Sequence, residues 1–203
     1  METGILLVDQ IPYLVLLIMG YTQDRAELTG QELLWRKLLY YIRTRDELDN
    51  ITVLSPLPWN ANWENVGNFL LRNVDKDSGY KILIAGYSWG GGWGATNLCK
   101  QLKLRGLDVW HLVMCDAVYR SKWYSMSWRS LTRNPKIKIS DNVKEVSWFF
   151  QTLNKPAGHK LVATDSKKTI INNPVQLDVG HTYMDEQPEY QDKVVDLVKK
   201  IKE

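Results

Sequence analysis

The sequence predicts an α/β fold with a mostly parallel sheet of about six strands, on three observations. Short runs that are apolar at every position recur along the 203 residues. Amphipathic stretches of helical period separate them, and turns containing glycine or proline punctuate the joins. A run with no polar face suits a strand covered by helices on both sides, as parallel sheets are.

Residues 1–10 read as an extended lead-in. Pro12 opens the first strand, Tyr13 to Met19, which ends in Gly20-Tyr21-Thr22-Gln23-Asp24. A helix is predicted over Glu27 to Arg43, with Leu28, Leu34, Trp35, Leu38, Leu39 and Ile42 on one face. Ile51 to Leu54 forms a second strand, stopped by Ser55-Pro56-Leu57-Pro58-Trp59. A helix from Asn62 to Val74 follows, with Asn60 as its cap. Gly79 precedes the third strand, Ile82 to Ala85, and a helix through Leu98, Cys99 and Leu102 stops at Gly106. Leu107 to Cys115 is the fourth strand, ending at Asp116. The segment 117–142 is less regular, and its Trp123 and Trp128 would line an acyl pocket or form a small lid. Val143 to Leu153 is the fifth strand. A hairpin is expected next, from Lys160–Thr164 through a turn at Asp165–Lys168 into Thr169–Asn172. Val175 to Val179 is the sixth strand, followed by Gly180-His181. Pro188 suits the first turn of a final helix that turns Val194, Val195, Leu197, Val198 and Ile201 inward. No repeat or linker interrupts residues 1–203, so one domain is expected.

Bulk composition narrows the function. A net charge of +3 with dispersed basic residues argues against a nucleic-acid partner. Cys99 and Cys115 fall on apolar faces and read as reduced core thiols, without the spacing of a metal site. Glu2 and Asp9 make the N-terminus a poor signal peptide, and Tyr13 to Met19 is too short to span a bilayer. A cytoplasmic location is the expectation.

The most informative stretch is Lys81 to Cys99, KILIAGYSWGGGWGATNLC. Its Gly86-Tyr87-Ser88-Trp89-Gly90 stands between a predicted strand and a predicted helix, the context that gives G-x-S-x-G chemical meaning. A serine at the tip of so sharp a turn adopts a sparsely populated backbone conformation and projects its hydroxyl above the sheet edge. Side chains two residues before and after it are expected to collide with each other, hence glycine at 86 and 90. The turn also puts the Trp89 N–H, at the start of the new helix, where an oxyanion develops. A serine nucleophile needs a base, and the base needs a partner that fixes its tautomer. Sites in open parallel sheets form at the carboxyl ends of strands. There Ser88, Asp116 and His181 are available in the order Ser, acid, His.

On these residues the chain resembles the α/β-hydrolase family of serine esterases, lipases and thioesterases. The resemblance covers most of the chain in its order of elements, with Gly86 to Gly90 as the nucleophile elbow and Gly180-His181 as the histidine loop. It implies a three-layer sandwich and makes Gly20-Tyr21 the start of the loop giving a second oxyanion amide. The chain starts near the family's third strand, as in a compact member lacking the first hairpin. The family usually carries its acid after the strand two along from the serine strand, where this chain offers Asp165 well downstream. Some members carry it one strand earlier, at the position of Asp116, which is the preferred reading. What the resemblance implies is hydrolysis of a small acyl ester or thioester, with neither metal nor organic cofactor.

Other readings compete. Gly90 to Ala95 also matches G-x-G-x-x-A, with Asp116 near the place of a ribose-binding carboxylate. Its first glycine, however, lies four residues beyond Gly86, inside the helix. No Lys-Ser/Thr follows the glycines, which excludes a P-loop. His111, inside a strand, and His159, after Gly158, read as structural, and Asp178 as a surface or turn residue. A non-catalytic binding protein on the same fold is the alternative if neither Asp116 nor Asp165 reaches His181.

Overall fold

The computed structural model describes residues 11–21, 23, 29–76, 79–119 and 136–203. The elements are β1 (Tyr13–Ile18), α1 (Gly30–Arg43), β2 (Ile51–Val53), α2 (Trp63–Asn73), β3 (Lys81–Tyr87), α3 (Thr96–Leu104), β4 (Val109–Cys115), β5 (Ile137–Ile139), β6 (Val143–Phe150), β7 (Leu161–Ala163), β8 (Ile170–Ile171), β9 (Val175–Gln176) and α4 (Pro188–Lys200). The lead-in 1–10, Glu27 and Leu28, and Trp123 and Trp128 lie outside the described residues.

Seven strands form one sheet, in the order β2-β1-β3-β4-β6-β8 with β9 also on β6. Every pairing is parallel. Alternation along the strands builds two cores. Leu14, Leu16, Ile82, Ile84, Leu112 and Met114 face α2 and α3, packing on Trp63, Leu70, Leu98 and Leu102. Val15, Leu17, Leu83, Ala85 and Val113 face α1 and α4, packing on Leu34, Leu38, Tyr190 and Val194. Both faces are apolar because both are covered, the condition the unbroken apolar runs imply.

Register sets the level of the site. Ile18 pairs with Gly86, Tyr87 with Cys115, and Cys115 with Phe149. The chain therefore leaves β1, β3, β4 and β6 along one row. Strand order reverses between β1 and β3, and such a reversal opens a crevice at the carboxyl ends of the two strands.

The sheet agrees with the expected parallel sheet of about six strands, β8 being the one added to it, and the corrections are local. The hairpin over 160–172 does not form. Instead β7 pairs in parallel with β5, and β8 with Glu145 and Val146 of β6. Two- and three-residue strands are chosen by distant partners, which local alternation does not encode. The first helix begins at Gly30, with Thr29 Oγ1 accepting from the Glu32 N–H. The cap of α2 is Asn62, not Asn60: its side chain accepts from the Asn65 N–H at 3.0 Å. The last strand is only Val175–Gln176.

Candidate active site

Ser88 follows β3 with φ 53°, and the helix begins at once with Trp89. Its first stretch, Gly90–Ala95, is π-helical before it tightens into α3. The strained serine is held on both sides. Its N–H donates to Cys115 O at 3.0 Å, and its carbonyl accepts from Gly92 N at 2.9 Å and Val118 N at 3.0 Å. Glycine is needed at 86 and 90, because at each a side chain would meet backbone. A Cβ on Gly86 would lie 2.9 Å from Gly91 N, and one on Gly90 would lie 2.4 Å from Ile18 O. A Cβ on Gly92 would meet Val118 O at 1.9 Å. The glycines thus admit the chain's own backbone, in the space that a dinucleotide fingerprint keeps for pyrophosphate.

His181 opens a turn of 3-10 helix, His181–Glu186, after the last strand. Its Nε2 lies 2.9 Å from Ser88 Oγ, and its Nδ1 lies 2.6 Å from Asp116 Oδ2. A carboxylate only accepts, so Nδ1 carries the proton toward Asp116 and Nε2 is left to accept from the serine hydroxyl. All three residues are buried. Asp116, with φ 40°, turns back under the imidazole at the end of β4. Asp165 is not at this place: it closes a turn, its Oδ1 accepting from the Lys167 N–H at 2.9 Å.

Several supporting residues escaped sequence reasoning. Gly158 N donates to Asp116 Oδ1 at 2.6 Å, and Gln151 donates from its backbone at 3.3 Å and from Nε2 to Oδ2 at 3.0 Å. Asn154 Oδ1 accepts from the His181 N–H at 2.8 Å, and Tyr87 Oη donates to His181 O at 2.6 Å. One loop after β6 therefore holds both the acid and the histidine. The signal for it was faint: a Gln and an Asn just past a strand that ends beside Asp116.

The loop after β1 lies close by, since a Cβ on Gly20 would be 3.1 Å from Ser88 Cβ. The Gly20 N–H is already committed to Gln23 Oε1 at 2.8 Å. Among the described residues no acceptor meets the Tyr21 N–H. Tyr21 packs on Trp89 at 4.5 Å between ring centroids, and Trp59 packs on Trp89 at 5.0 Å, giving this end of the sheet an aromatic wall.

Burial governs the titration here. It pushes the Tyr87 hydroxyl well above its ordinary range, which keeps it a donor. It raises Cys115 likewise and lifts Cys99 to about 12, so both thiols stay neutral. Burial also raises the Asp185 carboxyl to about 6, against the hydrogen bond from Gln23, which lowers it. His111 is buried under α4, its Nε2 2.9 Å from Ser147 Oγ, and burial lowers it to about 4. His159 Nδ1 accepts from the Tyr119 N–H at 3.0 Å. Among the described residues no group of three or more His, Cys, Asp or Glu could hold a metal ion. No helix among them is long and apolar enough to cross a membrane.

No protein-family model and no curated protein matches the chain by sequence. Solved structures do match. RedJ, a thioesterase from the prodiginine biosynthetic pathway in Streptomyces coelicolor, superposes with a TM-score of 0.50 at 10% identity, covering 93% of this chain and 85% of its own. This is the α/β-hydrolase fold. A hyperthermophilic esterase from the archaeon Pyrobaculum calidifontis aligns at TM-score 0.49 and 12% identity, over 96% of this chain and 77% of its own. A hormone-sensitive lipase from a metagenome library aligns at 0.46 and 17%, over 95% and 78%. At such identities the likeness is one of fold.

Proposed function

We propose that the protein is a serine hydrolase that cleaves a carboxylic ester or thioester through an acyl-enzyme on Ser88. The fold hosts many chemistries, so the reading rests on the site. The observation that carries it is the series Ser88 Oγ, His181 Nε2 at 2.9 Å, and His181 Nδ1 to Asp116 Oδ2 at 2.6 Å.

Ser88 Oγ attacks the acyl carbon as its proton passes to His181 Nε2. Asp116 holds the tautomer and supports the imidazolium. The carbonyl oxygen, now negative, is received by the Trp89 N–H at the head of the helix and by the Tyr21 N–H of the β1 loop. Gly20, the other candidate from that loop, instead fixes its shape through Gln23. Collapse of the adduct breaks the bond to the alcohol or thiol, which leaves with the proton from His181. Water then loses a proton to His181, attacks the acyl-enzyme, and releases the carboxylic acid with Ser88 restored.

Labelling with a fluorophosphonate probe tests this. The wild type and Asp165→Asn should label alike, Ser88→Ala should not label, and Asp116→Asn should label slower by on the order of 10⁴-fold. Labelling of Ser88→Ala would remove Ser88 from the mechanism. An unlabelled wild type would favour a non-catalytic binding protein on this fold.

A further inference from the structure

Asp185 is a fully buried carboxyl that the mechanism above does not use. It belongs to the same short turn as His181 and packs against the first residue of α1: a Cβ on Gly30 would lie 2.4 Å from Asp185 Cγ. Glycine at position 30 is what lets the carboxyl approach. Asp185 Oδ2 accepts from Gln23 Nε2 at 2.8 Å, and Gln23 Oε1 accepts from the Gly20 N–H at 2.8 Å. The other oxygen, Oδ1, is buried with no donor among the described residues.

Two hydrogen bonds in series thus join the histidine turn to the loop beside Ser88. A side-chain amide is well suited to this place, because it donates at one end and accepts at the other. The charge around the carboxyl does not explain its burial. Glu186, Tyr87, Cys115 and Tyr190 all face it and all oppose its ionisation or are opposed by it. Gln23, its own backbone N–H and the Gln31 N–H at the start of α1 favour its ionised form, in that order. A buried acid held this way costs stability, and what it secures is the conformation of Gly20 and Tyr21.

We propose that Asp185, acting through Gln23, is a positioning residue that sets the Gly20–Tyr21 loop as an oxyanion donor. The inference rests on the serine-hydrolase reading. It predicts a split that helix capping alone would not give. An oxyanion donor acts in the transition state and not on bound substrate, so its misplacement lowers kcat and leaves KM.

The test compares wild type, Gln23→Leu, Asp185→Leu and Asp185→Asn on a p-nitrophenyl ester, with thermal melting of each. Gln23→Leu should lose on the order of 10²-fold in kcat at unchanged KM, with its melting temperature close to wild type. Asp185→Leu should do the same or fail to fold. Asp185→Asn keeps an acceptor for Gln23 and should recover most of the loss. Wild-type kcat in Gln23→Leu overturns the proposal, and so does a fall in kcat matched by a rise in KM. If the wild type turns over no ester, the hydrolase reading fails separately, and amide hydrogen exchange at Gly20 decides this one. Exchange slow in wild type and fast in Gln23→Leu supports it, and equal exchange overturns it.

Discussion

At the scale of single residues, the least replaceable group beside the reacting atoms is Gln151. Its Nε2 donates to Asp116 Oδ2, Asn154 O and Pro156 O, each at 3.0 Å, while its Oε1 accepts from the Asn154 N–H. Asn154 in turn holds the His181 N–H. Gln151→Leu would strip a donor from the buried Asp116 and take the same donor from the partly buried Asn154 and Pro156 carbonyls. A lost intramolecular hydrogen bond costs about 0.5–1.5 kcal/mol, so the variant should melt measurably lower. It should also lose roughly tenfold or more in kcat/KM as the imidazole loses its fixed orientation. Unfolding curves read beside ester turnover check both halves. A variant destabilised yet fully active would make Gln151 a structural residue only.

At the scale of elements, the elbow is a packing device as much as a chemical one. The π-helical stretch Gly90–Ala95 lies where β1, β3 and the chain after β4 converge, and Gly90, Gly91 and Gly92 admit their backbones. Gly92→Ala puts a Cβ 1.9 Å from Val118 O, which is backbone and cannot swing aside. The variant should lose more than about 3 kcal/mol, or force the β4 end outward and shift Asp116 from His181. Thermal melting and fluorophosphonate labelling separate the two results. This element was legible in the sequence because three local signals coincide there: an apolar run, a glycine-flanked serine and a small-residue helix. Asp116 and His181 were legible for a related reason, since each stands at the end of a predicted strand. Gln23, Gln151 and Asp185 were not. Gln23 meets Asp185 across 162 residues of chain, and a polar side chain at one end of such a contact leaves no periodic trace. The misread hairpin over 160–172 failed on the same ground, because β7 and β8 each answer to a distant strand.

At the scale of the whole molecule, two buried titratable groups pull stability in opposite directions with pH. The Asp185 carboxyl is raised from 3.8 to about 6 by burial. Between those values the folded chain holds a proton that the unfolded chain has released, so stability falls as pH rises. The His111 imidazole is lowered from 6.5 to about 4, again by burial, with Glu145 opposing. In that window the unfolded chain binds the extra proton, so stability rises with pH. Each effect amounts to roughly 3 kcal/mol over its full range. Between about pH 4 and pH 6 the slopes oppose and largely cancel, one proton against one. Removing one group should therefore unmask the other. Asp185→Asn should gain stability steadily as pH rises through that window, with the slope of His111 alone. His111→Gln should lose stability over the same interval, with the slope of Asp185 alone. Denaturant unfolding at a series of pH values reads both slopes, and parallel curves for wild type and the two variants would show that neither burial perturbs its group.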